Sequence, residues 1–375
     1  MEIYIVRPGD GLPSVARSFS LEAEEIRRLN QLSDPRRLCP GLSLVLDTGH
    51  GDVPRSMELS AALSPRAESA LLEELLPGLS WLCVRSCALT PQGQLGLPEA
   101  GALLRLAYEH SVQPLLSLSN LAQGGFSALL AHQFFSDPAL ALDLAARLPG
   151  LLEAEGYMGV ELNFQYLFAF DRDNYSRFAQ SLSQALHAAG RYLFVSLAPK
   201  TAATAESPLC AGHDYETLGR CADRVILLCH DWGGAFTAPQ AISPADRTAA
   251  VIDYAASLIP PGKTLLSLSS CGYSWDLPWR QGDEGRPLPC RLAADMAIST
   301  GAEIKFDRCA QAPFFTCGGQ GRRRVVWYED ARSISRRVSL AGEGGLAGLS
   351  LRSGDRLYRP GLSLLLSRCA GEKLI

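Results

Sequence analysis

The stretch GYMGVELNFQYL, Gly156 to Leu167, follows a helical segment, DPALALDLAARLPGLLEAEG, and has the composition of a buried β-strand. Its period-2 positions are Glu161, Asn163 and Gln165, so a carboxylate and two carboxamides share one face of the strand. A carboxamide can hydrogen-bond a ligand but has no proton to donate at a useful pH. The stretch therefore predicts an inward-facing polar row whose chemistry depends on which positions are amides.

Outward from this strand, short apolar runs alternate with helical segments from Met57 to the C-terminus. Eight runs have this character: MELSAAL, WLCVRSC, VQPLLSLS, MGVELNF, YLFVSLAP, ADRVILLC, TLLSLSS and LAGLSLR. Eight βα units over about 300 residues predict an α/β fold, a closed (β/α)8 TIM barrel with its site at the C-terminal ends of the strands. A doubly wound sheet is disfavoured, because no glycine-rich phosphate turn follows the first strand.

The seventh unit is longer than the others. After its strand, CRLAADMAISTG has a helical pattern, and AEIKFDR, APFFTCG and RRVVWYED are typical of antiparallel strands. We therefore predict a small α+β insertion at about residues 276–328, which forms one wall of a cleft. The arginine run in GRRRVVW is typical of a solvated hairpin rather than of a phosphate clamp.

The first fifty residues have the order strand, helix, helix, strand: EIYIVR, PGDGLPSVARSF, SLEAEEIRRLN and LSDPRRLCPGLSLVLD. A polar stretch with Gly and Pro, TGHGDVPR, follows them and is typical of a linker. The predicted organisation is a βααβ module at residues 1–47, a linker at 48–56 and the barrel at 57–375.

Bulk composition bounds the function. The chain has 375 residues, 47% of them hydrophobic and 20% charged, so a sizeable core is available. The net charge is −4 and no basic stripe is present, which argues against a nucleic-acid partner. The segment MEIYIVRPGDGL lacks the pattern of a signal peptide, and no apolar run is long enough for a membrane span. We expect synthesis in the cytoplasm and no membrane partner.

The eleven cysteines are scattered without CxxC or Cys/His metal spacing. Cys83 and Cys229 lie inside apolar runs, as buried reduced thiols do, and this favours a reducing compartment during synthesis. Disulfide pairing is the alternative. His187, His213 and His230 are too dispersed to propose a metal site, and no cofactor motif is present, so neither a metal nor a cofactor is predicted.

The N-terminal module resembles a LysM domain from end to end, through its PGD-x-L turn, its RLN helix end and its PG-x-x-L strand. The resemblance implies binding of N-acetylglucosamine-containing glycans in a groove between two loops, which correspond to residues 9–13 and 30–38. The candidate glycan-binding residues are Gly9, Asp10, Leu12, Asn30 and Asp34. The family often has Thr where this chain has Gly11, and the alternative is a packing appendage.

The barrel resembles glycoside hydrolase family 18 over nearly its whole length. The matching stretches include SLAPK, HDWGG, VIDYAASLIPPGKTLLSLSSCGYSWDLPW, QAPFF and VVWYEDARSISRRVSLAGEGGLAGLSL. It is most similar to the LysM-bearing N-acetylglucosaminidases of spore cortex lysis and germination. The resemblance implies substrate-assisted hydrolysis, in which a Glu protonates the glycosidic oxygen and an Asp two residues earlier steers the substrate acetamido group.

The family motif for this chemistry is DxxDxDxE, and its four named positions are occupied here by Met158, Glu161, Asn163 and Gln165. Gln165 replaces the general acid, whose loss alone should lower the rate by about 10²- to 10⁴-fold. Asn163 replaces the assisting Asp and brings no charge. Glu161 lies about 13 Å from Gln165 along the strand, so we expect a buried core carboxylate that must find a partner.

Two further positions depart from the family. After strand six the family has a Tyr before an acidic residue, where this chain has His230 and Asp231. An imidazole can act as a general acid near neutral pH, but His230 is not expected to lie above the scissile oxygen. After strand eight the family has a Trp that floors the sugar pocket, where this chain has Arg352. Arg352 either contacts a sugar or pairs with a nearby carboxylate.

Aromatic residues of the sixth and seventh units are candidates for sugar stacking. They are Trp232, Tyr273, Trp275 and Trp279, and each is equally explained as core or insertion packing. Asn163, Gln165 and Asp231 are the expected polar contacts. Together the residues and the resemblance predict a catalytically impaired protein that binds a polysaccharide containing N-acetylglucosamine, as a pseudoenzyme associated with the spore coat or cortex. The alternatives are an active N-acetylglucosaminidase with an acid from elsewhere, and a coat structural protein that binds no sugar.

Overall fold

The computed structural model of the chain describes residues 1–49, 54–122, 124–203, 207–230, 232–319, 323–352 and 358–373. The predicted linker, residues 48–56, lies partly outside this set. Asp231 lies outside it. Within the described residues, the predicted α/β class and the (β/α)8 barrel are confirmed.

The N-terminal module is a two-stranded antiparallel sheet with two helices. Its elements are the strands Glu2–Ile5 and Ser43–Leu46 and the helices Leu12–Ser18 and Ala23–Leu29. The buried Asn30 side chain fixes the end of the second helix, since its amide donates to the Ile26 and Val45 carbonyls and its oxygen accepts from the Val45 amide. The predicted βααβ order is confirmed.

Eight parallel strands form the barrel: Arg55–Leu63, Trp81–Leu89, Gln113–Ser119, Gly159–Asn163, Tyr192–Leu197, Arg224–Leu227, Thr264–Leu268 and Gly348–Leu351. We number them barrel strands one to eight. The sheet closes because strand one pairs with both strand two and strand eight. Each of the eight runs singled out in the sequence overlaps one of these strands.

Helices surround the barrel in the order expected for βα units. They are Ser69–Leu75, Gly101–Glu109, Ala128–Phe135, Pro138–Glu155, Arg172–Ala188, Tyr215–Cys221, Ala245–Ala256, Ala331–Glu343 and Arg359–Arg368, with 3-10 turns at Leu76–Gly78, Ala169–Asp171 and Pro261–Lys263. Short strands complete the barrel region: Leu95–Gly96, Leu121–Ala122, Gly125–Phe126 and Cys369–Gly371.

The helix before strand four has well-defined ends. Asp137 accepts hydrogen bonds from the Ala139 and Leu140 amides at its N-terminus, and Gly156 ends it with a left-handed φ of +82°. The following strand is buried throughout and pairs in register with strand three, so that Ser117 lies opposite Glu161. These ends fix the register that places the polar row inside the barrel.

A five-stranded antiparallel sheet and one helix separate strand seven from its barrel helix. The strands are Cys271–Leu277, Arg286–Pro289, Lys305–Asp307, Ala312–Cys317 and Arg323–Trp327, and the helix is Cys290–Thr300. The predicted insertion is present, but its sheet begins at Cys271, before the predicted bound of about 276. The polypeptide runs from strand seven into this sheet through Ser269 and Ser270 without a turn signal, which explains the difference.

The module packs against this insertion. Leu12, Val15 and Ile26 of the module share one apolar core with Ala293 and Phe315 of the insertion. Polar contacts accompany this core: the Ser43 hydroxyl donates to the Asp330 carboxylate at 2.9 Å, and Arg332 donates to the Gly41 carbonyl at 3.1 Å.

Gly41 is required at this junction. It has φ +84°, and a Cβ atom there would lie 1.8 Å from the Ile304 carbonyl oxygen. The module and the insertion therefore meet at backbone distance.

Candidate active site

A pocket of about 270 Å³ opens at the C-terminal ends of the barrel strands, where the fold predicts a site. Side chains from strands two, three, four, six and eight and from the loops after strands three and four contribute to its wall. They are Arg85, Ser117, Ser119, Leu121, Phe126, Asn163, Gln165, Tyr166, Leu228, His230 and Arg352. This described wall contains no carboxyl group, so no carboxylic acid is available in it as a proton donor.

The end of strand four presents two amides to the pocket. The Gln165 side-chain amide donates to the Asn163 side-chain oxygen at 2.9 Å. Asn120 fixes the Gln165 backbone, since its side chain accepts from the Gln165 amide and donates to the Gln165 carbonyl at 2.9 and 2.8 Å. The next residue, Tyr166, has a left-handed φ of +57°, so the polypeptide turns sharply here. The two motif positions are thus hydrogen-bonded to each other as neutral groups.

Glu161 lies below this pair and is fully buried. Its Oε1 accepts from the Ser196 hydroxyl at 2.6 Å and from Arg352 Nη1 at 2.7 Å. Burial raises the pKa of this carboxyl, but the Arg352 guanidinium and neighbouring serine hydroxyls outweigh burial, and the pKa is below its usual value. Glu161 is therefore an ionised structural carboxylate and not a general acid.

Arg352 stands at the end of strand eight, where the family resemblance placed a tryptophan. Its amide donates to the Leu268 carbonyl, which continues the pairing of strands seven and eight by one residue. Its side chain is nearly buried, lines the pocket and pairs with Glu161. Of the two interpretations of Arg352, the paired one describes this structure, and the pocket remains open above the pair.

His230 follows strand six and lines the same pocket. Its Nδ1 is hydrogen-bonded to the Ser267 hydroxyl at 2.9 Å, and the same hydroxyl accepts from the Cys229 amide. Ser267 therefore fixes the ring from strand seven. Asp231, the predicted polar contact beside it, lies outside the described residues.

A second histidine, His213, holds the end of strand four from behind. Its ring is fully buried, with Nδ1 3.0 Å from the Ala198 amide and Nε2 2.9 Å from the Phe164 carbonyl. Burial lowers its pKa to about 4, so the imidazole is neutral. A neutral ring that accepts at Nδ1 and donates at Nε2 satisfies both contacts.

The aromatic residues predicted for sugar stacking are not part of the described pocket wall. Trp275 is fully buried, and its Nε1 donates to the Thr237 carbonyl at 2.9 Å. Tyr273 lies beside it in the insertion sheet, with ring centroids 5.8 Å apart. Trp232 packs against the core beneath the Arg247 guanidinium, and Trp279 Nε1 donates to the Asp283 carbonyl. Trp275 is thus a packing residue in this structure, whereas Trp232, Tyr273 and Trp279 are half-buried and sugar stacking on them stays a prediction.

Seven wall residues were missed by the sequence analysis: Arg85, Ser117, Ser119, Leu121, Phe126, Tyr166 and Leu228. The two serines carry a detectable signal, because they alternate along strand three as Glu161 and Asn163 do along strand four. Arg85 carries none, since it lies in a β-bulge where strand two loses its regular register with strand three.

The predicted LysM residues have mixed surroundings. Leu12 and Asn30 are buried and serve the module core. Asp10 accepts from the Tyr4 hydroxyl and the Arg7 amide, both at 2.7 Å, and Asp34 binds Arg36 in an exposed turn.

The two loops of the module differ in exposure. Gly9 has open space around its Cβ position. The second loop is tied to the barrel domain, where the Ser33 hydroxyl donates to Asp295 and Gln31 accepts from the Arg359 amide. The first loop is thus the more accessible one.

Other site types find no support in the part of the chain that the structure describes. No group of three or more His, Cys, Asp and Glu side chains there could hold a metal ion. None of the described helices combines the length and the hydrophobicity that crossing a membrane requires. Seven of the eleven cysteines are buried, which agrees with their place in apolar runs.

Two protein-family profiles match this chain. The profile described as Glycosyl hydrolases family 18 matches residues 108–353, more than half of the chain. The chain belongs to glycosyl hydrolase family 18. The LysM domain profile matches residues 4–47, which make up nearly all of the N-terminal module. The family 18 barrel thus has a LysM domain in front of it, as the motifs predicted.

Relatives of this family 18 protein cover it almost completely. It is 30% identical to the cortical fragment-lytic enzyme of Bacillus subtilis (strain 168), over 93% of this chain and 94% of that protein. It is 28% identical to the cortical fragment-lytic enzyme of Bacillus anthracis, with the same coverage. The similarity therefore extends over nearly the whole length of this chain and of these relatives.

Solved structures agree with this family 18 assignment. The Bacillus cereus spore cortex-lytic enzyme SleL matches with a TM-score of 0.79 and 28% identity, over 99% of this chain and 87% of that chain. The Bacillus megaterium QM B1551 spore cortex-lytic enzyme SleL matches with a TM-score of 0.88 and 23% identity, over 100% and 99%. At that identity the second likeness concerns the fold alone.

Proposed function

We propose that this family 18 protein binds an N-acetylglucosamine-containing glycan at the barrel mouth and does not cleave it at the rate of an enzyme with a carboxylic acid at that position. One observation carries the proposal: the side-chain amide of Gln165, at the position where the family motif that the chain resembles has its acid, is hydrogen-bonded to the Asn163 side chain. Loss of the general acid lowers the rate by about 10²- to 10⁴-fold, and loss of a charged assisting group lowers it further.

The open pocket supports binding rather than a purely structural role. A blocked site would require the Arg352 side chain to fill the pocket, but its guanidinium is engaged with Glu161 and about 270 Å³ remain above it. Amide and hydroxyl groups of Ser117, Ser119 and Asn163 line that space and match the hydroxyl and acetamido groups of a sugar. The LysM domain would add a second glycan contact on the same chain.

The relatives indicate where such a protein would act. Those named above are cortical fragment-lytic or spore cortex-lytic enzymes. We infer an attachment or scaffolding role on spore peptidoglycan for this chain, which is similar to them over nearly its whole length and has an amide at Gln165.

Retained hydrolysis is the second candidate function, and one observation favours it. His230 lies in the pocket wall and is fixed by Ser267. If the protein hydrolyses its glycan, the imidazole would donate the proton in place of a carboxylic acid. A His230→Gln variant would then abolish product formation.

The test combines binding and product analysis on one preparation. The purified protein is titrated with N-acetylglucosamine hexamer and incubated with spore-cortex fragments, and new reducing ends are sought by mass spectrometry. We expect saturable binding and no products. Products from the unmodified chain would overturn the proposal, and absence of binding would leave only a structural role.

A Gln165→Glu variant is measured in parallel, with Gln92→Glu, at an exposed position, as the matched control. A gain of products with Gln165→Glu alone would indicate that the rest of the pocket still suits the reaction. No gain would indicate that Asn163 and Arg352 have closed that route as well.

A further inference from the structure

A second buried carboxyl group, that of Glu329, lies outside the glycan pocket. Glu329 follows the strand Arg323–Trp327 of the insertion sheet and is 4% exposed. No described donor lies within hydrogen-bonding distance of either of its carboxyl oxygens. The nearby Ser333 hydroxyl donates to the Asp330 carbonyl instead. A carboxylate in these surroundings lacks the hydrogen bonds that compensate for lost hydration.

The guanidinium of Arg337 faces Glu329 but is bonded to other groups. Its Nη2 lies 3.9 Å from Glu329 Oε2, which is too far for a hydrogen bond. Each terminal nitrogen of a guanidinium carries two hydrogens, and here each nitrogen donates to two backbone carbonyls. These carbonyls belong to Gln311 and Ser333 for Nη1 and to Ser243 and Ala310 for Nη2. Arg337 therefore offers Glu329 a charge at a distance and no bond from its terminal nitrogens.

A small cavity adjoins this carboxyl group. Its volume of about 20 Å³ exceeds the roughly 10–15 Å³ that one water molecule needs. Apolar groups form most of the wall, and its polar or sulfur-bearing side chains are Glu329, Ser269, Ser270, Tyr358 and Cys290. A buried water molecule typically makes about three hydrogen bonds, and the carboxyl and hydroxyl groups of this wall can supply them.

The cavity lies where three parts of the fold meet. Its wall includes Leu268 and Leu351 at the ends of strands seven and eight, Cys290 of the insertion helix and Leu362 of the last barrel helix. The Ser270 hydroxyl donates to the Arg352 carbonyl at 3.5 Å, which connects the cavity wall to the residue that pairs with Glu161. A change of charge at Glu329 would therefore act on the junction between the barrel and the insertion.

We propose that Glu329 is a neutral carboxylic acid in the folded protein and binds one water molecule in this cavity, so that the junction between the barrel and the insertion responds to pH. A neutral acid can donate its O–H to the water, and it avoids the cost of a buried charge without a hydrogen-bonded partner. The inference is independent of the proposed function, because it concerns a group that glycan binding does not use.

The titratable groups around Glu329 agree with this assignment. Burial raises the pKa of the Glu329 carboxyl above its usual value and outweighs the attraction of Arg337, and the negative charge of Asp330 raises it further. Burial also raises the pKa of the Cys290 thiol and of the Tyr358 hydroxyl, so both are neutral. Arg337 is thus the one described cation that favours the ionised form of Glu329.

The direction of the pH dependence follows from the raised pKa. The folded protein binds the Glu329 proton more tightly than the unfolded chain, in which the carboxyl has its ordinary value of about 4.5. The contribution of the neutral acid to stability is full below about pH 4.5 and is lost as the pH rises through the folded-state pKa. The contribution of His213 has the opposite sign, so Glu329 is isolated by comparing the unmodified chain with Glu329→Gln at each pH.

Infrared spectroscopy of the full chain, labelled with ¹³C-glutamate, tests the protonation directly. A protonated carboxyl group has a C=O band that a carboxylate lacks, and ordinary Glu carboxyls are ionised at pH 6. We expect a labelled carboxylic-acid band at this pH that disappears in Glu329→Gln. Glu343→Gln, at an exposed position of the helix Ala331–Glu343, should retain the band.

Thermal unfolding measures the consequence for stability. Glu329→Gln has a neutral side chain of similar size at every pH, so its midpoint temperature relative to that of the unmodified chain should rise between pH 4.5 and pH 7.5. We expect this relative rise to be about 2 °C or more. Glu343→Gln should show no such trend. A crystal structure at high resolution should show a water molecule bonded to Glu329.

The outcomes decide each part of the inference. Absence of a carboxylic-acid band at pH 6, or a band that Glu329→Gln leaves unchanged, would overturn the neutral acid. A difference in midpoint temperature that is constant with pH would overturn the response of the junction, and an empty cavity would overturn the water site. If Glu329→Gln does not fold, the band of the labelled unmodified chain decides alone.

Discussion

Strand four holds two neighbouring layers of opposite character. In the lower layer, Glu161 is fully buried, ionised and bonded to Arg352 and Ser196. In the upper layer, Asn163 and Gln165 are neutral and bonded to each other. The carboxylate lies in the buried layer, and amides stand at the two positions where the family motif that this stretch resembles has acids.

The polar row of strand four is thus held together as structure, with an ion pair below and neutral amides above. A buried carboxylate requires a counter-charge, and Arg352 supplies it from strand eight. The upper amides need no counter-charge and are satisfied locally. Four sets of variants test the two layers, with the largest expected effect first.

The largest effect should come from removing one partner of the Glu161–Arg352 ion pair in the lower layer. Arg352→Met leaves Glu161 as an unpaired buried charge and should lower the free energy of unfolding by about 3–5 kcal/mol. Urea unfolding measures the change. The double variant Glu161→Gln/Arg352→Met removes both charges and should recover much of the loss.

If the double variant is as unstable as the single one, the ion pair is not the cause and packing of Arg352 is. The exposed pair of Arg105 and Glu109 serves as the matched control, and its removal should change stability by less than about 1 kcal/mol.

The second effect is the dependence of stability on pH, through the buried imidazole of His213 next to the upper layer. The pKa of His213 is lowered to about 4 from the ordinary value of 6.5, so the folded protein binds this proton less readily than the unfolded chain. The stability contributed by neutral His213 is full above about pH 6.5 and is lost as the pH falls towards 4, a change of roughly 3 kcal/mol. Urea unfolding at several pH values between 7.5 and 4 measures it.

His213→Gln should flatten this part of the pH profile, although the variant is less stable at neutral pH. His110→Gln, at the end of a barrel helix, should retain the profile. An unchanged slope in His213→Gln would show that other groups cause the acid sensitivity.

The third effect separates the backbone of the upper layer from its side chains. Asn120→Ala removes the partners of the Gln165 amide and carbonyl and should cost about 2 kcal/mol of stability. It should also weaken glycan binding, because Gln165 loses its fixed position. Asn174→Ala removes a surface bond and should have an effect within about 0.5 kcal/mol. Full binding by Asn120→Ala would argue that Gln165 does not contact the glycan.

The smallest effect concerns sugar stacking on an aromatic side chain of the pocket. Tyr166 lines the pocket and is exposed, so Tyr166→Ala should weaken glycan binding by about 1 kcal/mol, or roughly fivefold in Kd. Trp279→Phe, in the insertion, should leave Kd unchanged. The reverse result would restore the insertion tryptophans as the stacking surface and move the glycan away from the described pocket.

The fold was readable from the sequence because each barrel strand is a continuous apolar run between helical segments. The motif positions were readable as well, since a period of two places Glu161, Asn163 and Gln165 on one face. The need of Glu161 for a partner was predictable from its burial. Its identity was not, because Arg352 lies 191 positions away and one sequence carries no record of contact.

The surroundings of Trp275, Tyr166 and Arg85 were not predictable, for a different reason. Trp275 lies on a strand of an antiparallel sheet, and the alternation of residues along that strand does not show which face of the sheet is covered. Tyr166 enters the pocket because the backbone adopts a left-handed turn after strand four, and Arg85 because of a bulge. Both are local backbone features without a distinctive residue pattern.

A crystal structure of the protein soaked with N-acetylglucosamine hexamer would test glycan binding and the loss of hydrolysis most directly. We expect an unbroken oligosaccharide across the barrel mouth, with one sugar over Asn163 and Gln165 and the Glu161–Arg352 pair intact beneath it. Shortened products in the pocket would contradict the loss of catalysis. A glycan held elsewhere, with the pocket empty, would contradict the assignment of this site.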